Sequence, residues 1–238
     1  MSNMYKVWSY TPEDKMSDLI CDNYPMLLVL NRFNISMGFS DSTIGEVCEN
    51  HNVDTNTFLA IVNLLISEDK SSIRVDFSTL SLDSVILYLE NSHSYFSEYK
   101  LPSIRRKLKD SLKEGDAVSL AILNYYDEYI AEVQKHMNYE ENIVFTYVND
   151  LLKGEENKVF NIDVFSDHHE SVDSKLSELK NIIIKYYPVE TTHKLSSVLF
   201  DIFNCESDLS SHNDIEDYIL IPAIREIEKS KINKNEAK

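Results

Sequence analysis

Glycine and proline are scarce in this chain, whose 238 residues include four glycines and five prolines. Because these two residues punctuate strands and tight turns, their scarcity argues against a β-rich fold and favours long helices. Cysteine is also sparse: Cys21, Cys48 and Cys205 lie far apart, and no Cys-x-x-Cys pair is present. An odd number of isolated cysteines argues against a disulfide framework and indicates a reducing compartment.

Targeting segments are not apparent in the sequence either. No apolar stretch reaches the ~18 residues that a membrane span needs. The N-terminal residues MSNMYKVWSYTPEDK contain no basic region followed by an apolar run, so no secretory signal is expected. We therefore expect a cytoplasmic protein without a membrane partner.

Positively charged residues are few: the chain has 23 lysines and arginines but 40 aspartates and glutamates, for a net charge of −17. Nucleic-acid binding depends on clustered cations, so this balance argues against a nucleic-acid partner. The local basic run Arg105-Arg106-Lys107 is typical of a solvated helix face.

The pattern of apolar residues predicts an all-α chain with two regions. Residues 1–72 are predicted to form a small helical domain, with short helices at 13–22, 24–33, 43–50 and 55–67, followed by a polar linker near 70–78. Long amphipathic helices are predicted at 82–112, 115–153, 164–187 and 190–229. Four long helices with short connections indicate an up-down four-helix bundle over residues 78–232.

Each long helix has an apolar seam whose members alternate at spacings of three and four residues, as in the core of a left-handed bundle. The four seams are Leu82, Ile86, Leu89, His93 and Phe96; Val133, His136, Glu140, Ile143 and Tyr147; Phe165, His169, Val172, Leu176, Leu179 and Ile183; and Leu209, His212, Glu216, Ile219 and Ala223. Histidine interrupts every seam once, and in two helices glutamate follows it four residues later.

The polar residues on the seams predict a metal centre. An unpaired ionised carboxylate is costly to bury, and two carboxylates with four imidazoles at one level call for cations. Residues four apart share a helix face, so a histidine and a glutamate at this spacing can bind one centre. Imidazole with carboxylate suits iron, manganese or zinc rather than calcium or copper(I), and bundle cores are known to hold carboxylate-bridged pairs of metal ions.

An internal repeat selects the same residues. His93, His136 and Glu140 correspond to His169, His212 and Glu216 at one constant offset of 76 residues. The offset also favours His169 over its neighbour His168, which lies off the seam. A single buried histidine is usually a hydrogen-bonded core residue, and a single His-xxx-Glu pair usually faces solvent. Six positions that share a seam and a repeat instead indicate a metal site.

The chain resembles the hemerythrin-like superfamily at these residues. More closely, it resembles the iron–sulfur cluster repair di-iron proteins, the RIC or ScdA/YtfE/DnrN family, in ENSHSYFSEYKLP, KHMNYEENIVFTYV, DHHESVDSKLSELK and SHNDIEDYILIPAI. The resemblance implies a carboxylate-bridged pair of irons in each chain, with manganese or zinc as substitutes. It assigns terminal ligands to His93, His136, His169 and His212 and bridges to Glu140 and Glu216.

The N-terminal region resembles the small helical domain that precedes the bundle in that family, from MSDLICDNYPMLLVLNRFNIS to STIGEVCENHNVD. That domain normally carries an adjacent cysteine pair, whereas this chain has Ser36-Met37-Gly38-Phe39 at the corresponding place. Cys48 alone is retained, either as a functional thiol or as a small buried hydrophobe.

Two further positions have alternative interpretations. Where family members have another histidine, this chain has Glu114. Three interpretations are open: Glu114 is an oxygen ligand, it leaves the metal position to water, or it is a surface acid. Tyr147 either hydrogen-bonds a ligand or only packs in the core. The residues His51, His168, His193 and Cys205 are expected to be solvent-facing or structural.

The resemblance implies repair or protection of iron–sulfur clusters under nitrosative or oxidative stress, with iron–sulfur proteins as partners. One alternative is a sensor that binds oxygen or nitric oxide and signals to a partner, which suits a chain that keeps the N-terminal domain without its cysteine pair. A further alternative is a nitric oxide reductase or a peroxidase, so enzymatic activity is left open. The expected small ligands are nitric oxide, oxygen and peroxide, and a homodimer is compatible with the sequence.

Overall fold

The computed structural model describes residues 9–154, 160–166, 174–187 and 193–236, and every regular element in these ranges is helical. The all-α prediction is therefore confirmed. Within the same ranges, no helix combines the length and the apolar character that crossing a membrane requires.

The N-terminal helices are short and agree closely with their predicted bounds. They are α1 (Met16–Asp22), α2 (Met26–Arg32), α3 (Ile44–Asn50) and α4 (Thr55–Ile66), followed by 3₁₀ turns at Lys70–Ser72 and Phe77–Thr79. Helix α3 begins with a capping box, in which the Thr43 hydroxyl accepts from the Glu46 N–H and the Glu46 carboxylate accepts from the Thr43 N–H. The Asp54 carboxylate caps α4 in a similar way.

The rest of the described chain includes the longest helices, and π-helical segments continue three of its helices. The elements are α5 (Leu82–Ser94), a π segment at Tyr95–Lys100, α6 (Leu101–Ser111), α7 (Ala117–Tyr139), a π segment at Glu140–Phe145, α8 (Thr146–Lys153), α9 (Ile162–Ser166), α10 (Ser174–Tyr186), α11 (His193–Ile215), a π segment at Glu216–Leu220 and α12 (Ile221–Glu236). Gly154, at φ 83°, ends α8 in the left-handed conformation that glycine adopts without strain.

The chain groups into two compact units, one formed by Met1–Asn91 with Asp214–Lys238 and the other by Ser92–Asn213. The predicted domain boundary between residues 72 and 78 falls inside the first unit and remains a prediction. In this unit Arg32 is buried, its guanidinium donates to the Tyr88 hydroxyl at 3.1 Å, and Phe33 packs on the Tyr88 ring at 5.2 Å.

The second unit has a hydrophobic core supplied by α6, α7, α10 and α11 and by the π segment after α5. The predicted repeat is visible in it, because α7 and α11 each contain 23 residues and begin 76 residues apart. Pairs of core positions obey the same offset: Ile122 and Val198, Tyr126 and Ile202, Tyr129 and Cys205, Val133 and Leu209. The two halves therefore present equivalent faces to the interior.

The π segment at Glu140–Phe145 corrects one part of the predicted seam. Ile143 was expected inside, yet 43% of it is exposed, whereas Val144 is fully buried and Tyr147 is 6% exposed. A π turn contains one more residue than an α turn, so residues beyond Glu140 rotate relative to the α-helical spacing. The prediction for Ile143 is therefore wrong. The described seam residues before Glu140 lie inside as predicted, with the exception of His136, which is partly exposed.

Candidate metal centre

Two histidines from different helices face each other in the interior. His93 lies at the end of α5 and His212 near the end of α11, and each is 1% exposed. Their Nε2 atoms are 3.2 Å apart. Two imidazole nitrogens at this distance either share a proton or point toward a common cation.

Glu140 lies between two histidines, at the junction of α7 with its π segment. Its Oε2 is 3.3 Å from His93 Nε2, and its Oε1 is 2.9 Å from His136 Nε2. The carboxylate is fully buried, whereas 16% of the His136 side chain is exposed. Glu140 thus offers one oxygen on each side, which is the arrangement that a bridging carboxylate needs.

Glu216 occupies the repeat-equivalent position, four residues after His212 on a helix that continues without interruption. It is fully buried and begins the last π segment, as Glu140 begins the one before it. One ligand atom from each of four side chains lies within 4.8 Å of the others: His93, Glu140, His212 and Glu216.

The outward nitrogens of both buried imidazoles have hydrogen-bond partners. His93 Nδ1 is 2.9 Å from Glu141 Oε1, and His212 Nδ1 is 3.1 Å from Ser92 Oγ. An ionised carboxylate only accepts hydrogen bonds, so His93 donates from Nδ1 to Glu141, and its Nε2 faces the interior. This is the orientation that a metal-binding histidine requires.

Aromatic rings form the walls around the two imidazoles. Phe145 stacks on His93 with ring centroids 5.5 Å apart and an interplanar angle of 16°. Phe96 presents its edge to His212 at 6.1 Å and 87°. Both phenylalanines are buried, so the donors lie in an apolar surrounding that favours charge neutralisation by a bound cation.

The donor set fits a transition metal. Two buried carboxylates and two buried imidazoles combine oxygen and nitrogen ligands, which suits iron, manganese or zinc, whereas calcium prefers an all-oxygen site. π-Helical turns are frequent at functional sites, and here two of them begin at the glutamates of the group.

The structure brings together four of the six predicted ligands and places His136 beside Glu140. The sixth, His169, and its neighbour His168 lie outside the described residues. Within the described ranges the group of potential ligands does not include Glu114, which is exposed in the turn before α7. Roughly 28 Å of helix, at about 1.5 Å per residue, separates the start of α7 from His136, so Glu114 is a surface acid and the ligand alternative is wrong.

The turn that contains Glu114 has a structural role. Tyr187 Oη accepts from the Lys113 N–H at 2.8 Å, and the Asp116 carboxylate caps α7 by accepting from Ser119 N–H. Tyr147 is buried and contacts Phe160 edge-on with centroids 5.0 Å apart, in agreement with the packing alternative.

The other residues left out of the predicted site have identifiable environments. His51 Nδ1 lies 2.8 Å from the Val47 carbonyl oxygen, and its Nε2 accepts from the Ser36 N–H, so it is structural. His193 is exposed at the start of α11, and Cys205 is fully buried in the core.

Sequence reasoning missed Glu141, Ser92 and Phe145. Each is adjacent or close in sequence to a predicted ligand, but none lies on the predicted seam. The adjacent acids Glu140-Glu141 were the available signal, since a ligand histidine usually donates its second N–H to a carboxylate or carbonyl.

The helices and the His/Glu group define the chain as an all-α metal-binding protein. The model of the hemerythrin HHE cation-binding domain family matches residues 87–224, which is more than half of the chain. The chain therefore belongs to the hemerythrin HHE family, and the predicted hemerythrin-like fold is confirmed. No curated protein sequence matches the chain.

Proposed function

We propose that the chain holds a carboxylate-bridged pair of irons. Glu140 and Glu216 would be the bridges, and His93, His136 and His212 would be terminal ligands, together with His169, which lies outside the described residues. The observation that carries this proposal is the two-sided environment of Glu140, whose oxygens face His93 and His136 separately. Manganese or zinc would be compatible with the same donors.

The residues of the chain would have distinct tasks at such a centre. Glu140 and Glu216 would hold the ions through their carboxylates, and the hydrogen bonds of the two imidazoles with Glu141 and Ser92 fix the orientations of His93 and His212. Phe96 and Phe145 exclude water from the His93 and His212 side. When bound, iron would supply one-electron redox chemistry and positions for a diatomic ligand.

The biological role that we propose is repair or protection of iron–sulfur clusters under nitrosative or oxidative stress. Support comes from the family, from the donor group and from the sequence of the small helical region before the bundle, which resembles that of the repair proteins. Iron–sulfur proteins would be the partners, and nitric oxide, oxygen or peroxide the small reactants.

A repair assay tests this role. Iron-loaded protein should restore the activity of a [4Fe–4S] enzyme damaged by nitric oxide faster than free Fe(II) at the same concentration. Glu140→Ala protein treated identically should do no better than free Fe(II). Equal recovery with wild-type protein, variant and free iron would contradict repair.

Sensing is the second candidate, and two observations favour it. Burial raises the pKa of the Cys48 thiol to about 12, so this cysteine is not a reactive thiolate near neutral pH. Lys70 Nζ donates to the Leu64 and Leu65 carbonyl oxygens at the end of α4 and lies 3.7 Å from Asp214, two residues after His212. The N-terminal helices therefore have a polar connection to the helix of the donors.

Nitric oxide distinguishes sensing from reduction. Added anaerobically to the reduced, iron-loaded protein, it should be taken up without forming nitrous oxide if the chain is a sensor. Uptake should then change the fluorescence of a probe attached to Cys21, the exposed thiol of the N-terminal helices. Catalytic release of nitrous oxide, measured by gas chromatography, would contradict sensing and support a reductase.

A further inference from the structure

Glu141 differs from the residues around it because it connects a buried imidazole to the surface. Its side chain is 42% exposed, whereas that of His93 is 2% exposed, and 2.9 Å separates Oε1 from Nδ1. It follows Glu140 directly in the π segment. A π turn rotates less per residue than an α turn, which helps two consecutive glutamates reach the same histidine from different sides.

The two imidazoles of the pair have unequal partners. His93 donates to a carboxylate, which bears a negative charge, whereas the Nδ1 of His212 meets the neutral hydroxyl of Ser92. A carboxylate partner increases the electron donation of an imidazole to a bound metal, and a neutral hydroxyl does so much less. The two nitrogens that face each other at 3.2 Å are therefore not equivalent donors.

We propose that Glu141 is a positioning residue that makes His93 the stronger donor of the pair and thereby favours the oxidised metal. This inference rests on the proposed iron centre. The carboxylate acts in two ways: its hydrogen bond fixes the orientation and tautomer of His93, and its charge increases electron donation through the ring. An adjacent negative charge favours Fe(III) over Fe(II), so its loss raises the reduction potential.

Two substitutions separate orientation from charge. Glu141→Gln keeps an oxygen that accepts from His93 Nδ1–H but removes the charge, whereas Glu141→Ala removes both. Fe(II) affinity, measured anaerobically by competition with a chromophoric chelator, should fall by about 10–100-fold in Glu141→Ala, the usual cost of losing such a partner. Glu141→Gln should lose less affinity yet still raise the midpoint potential of the iron-loaded protein in a redox titration.

Two control variants are available in the same unit. Glu178→Gln removes a charge from an exposed carboxylate that accepts from the Tyr125 hydroxyl at 2.6 Å, and it should change neither affinity nor potential. Ser92→Ala is the comparison for charge: it removes the neutral partner of His212, so it should lower Fe(II) affinity but shift the midpoint potential less than Glu141→Gln does.

The outcomes separate this inference from the iron centre itself. If wild-type protein binds iron and the two Glu141 variants match Glu178→Gln in affinity and potential, Glu141 has no positioning role. If the midpoint potential of Ser92→Ala shifts as much as that of Glu141→Gln, His93 and His212 do not differ as donors and the proposal is wrong. Failure of wild-type protein to bind iron would overturn the proposed centre, and the role of Glu141 with it.

Discussion

Glu140→Ala is expected to abolish stable metal binding. The substitution removes the oxygens that face His93 and His136, and of the two carboxylates in the group only that of Glu216 remains. Wild-type protein should gain about 4 kcal/mol of stability at a free metal concentration a thousandfold above Kd. The variant should gain almost none, as measured by thermal unfolding with and without Fe(II) under anaerobic conditions.

Glu132→Ala is the matched control for this experiment. Glu132 lies on the same helix, about one turn before His136 and two turns before Glu140, and its carboxylate is 52% exposed and paired with Lys175. Its loss should leave the metal-dependent stabilisation intact, because surface ion pairs contribute ~1 kcal/mol or less. A Glu140→Ala protein that still shows the wild-type response to metal would show that Glu140 is not a ligand.

Phe96→Ala is expected to be the most destabilising single truncation near the centre. The ring is fully buried in the core of the second unit, where it contacts the ring of His212 edge-on. Removing such a ring usually lowers the free energy of unfolding by about 3–5 kcal/mol, through lost burial and the cavity left behind. Urea denaturation of the metal-free protein measures this loss independently of metal binding.

Phe200→Ala provides the comparison. This phenylalanine lies on α11 in the same unit but is 72% exposed, so its truncation should change the free energy of unfolding by about 0.5 kcal/mol or less. Similar losses for Phe96→Ala and Phe200→Ala would contradict the placement of Phe96 in the core.

The repeat explains why so much of the site could be predicted from sequence. Helical periodicity identifies an inward face, and the offset of 76 residues selects the same level of that face in both halves. His93, Glu140, His212 and Glu216 satisfy both conditions, and they are the four that the structure groups together. These residues could be predicted without knowledge of tertiary contacts, because the repeat places the residues of the two halves at the same level.

Other features could not be predicted because they depend on departures from regular periodicity or on distant partners. The π turn after Glu140 turns Ile143 outward and lets Glu141 reach His93, and no residue type in the sequence marks such a turn. Arg32 is another example, since its buried guanidinium is stabilised by the Tyr88 hydroxyl from 56 residues away. A charged residue would ordinarily be predicted on the surface.

Metal analysis of protein purified without exposure to air tests the central claim most directly. Combined with X-ray absorption at the iron edge, it should show two irons per chain bound by nitrogen and oxygen donors at a short iron–iron separation. Stoichiometric iron should disappear in Glu140→Ala protein prepared in parallel. Wild-type protein that contains no iron, or only substoichiometric zinc, would contradict the account.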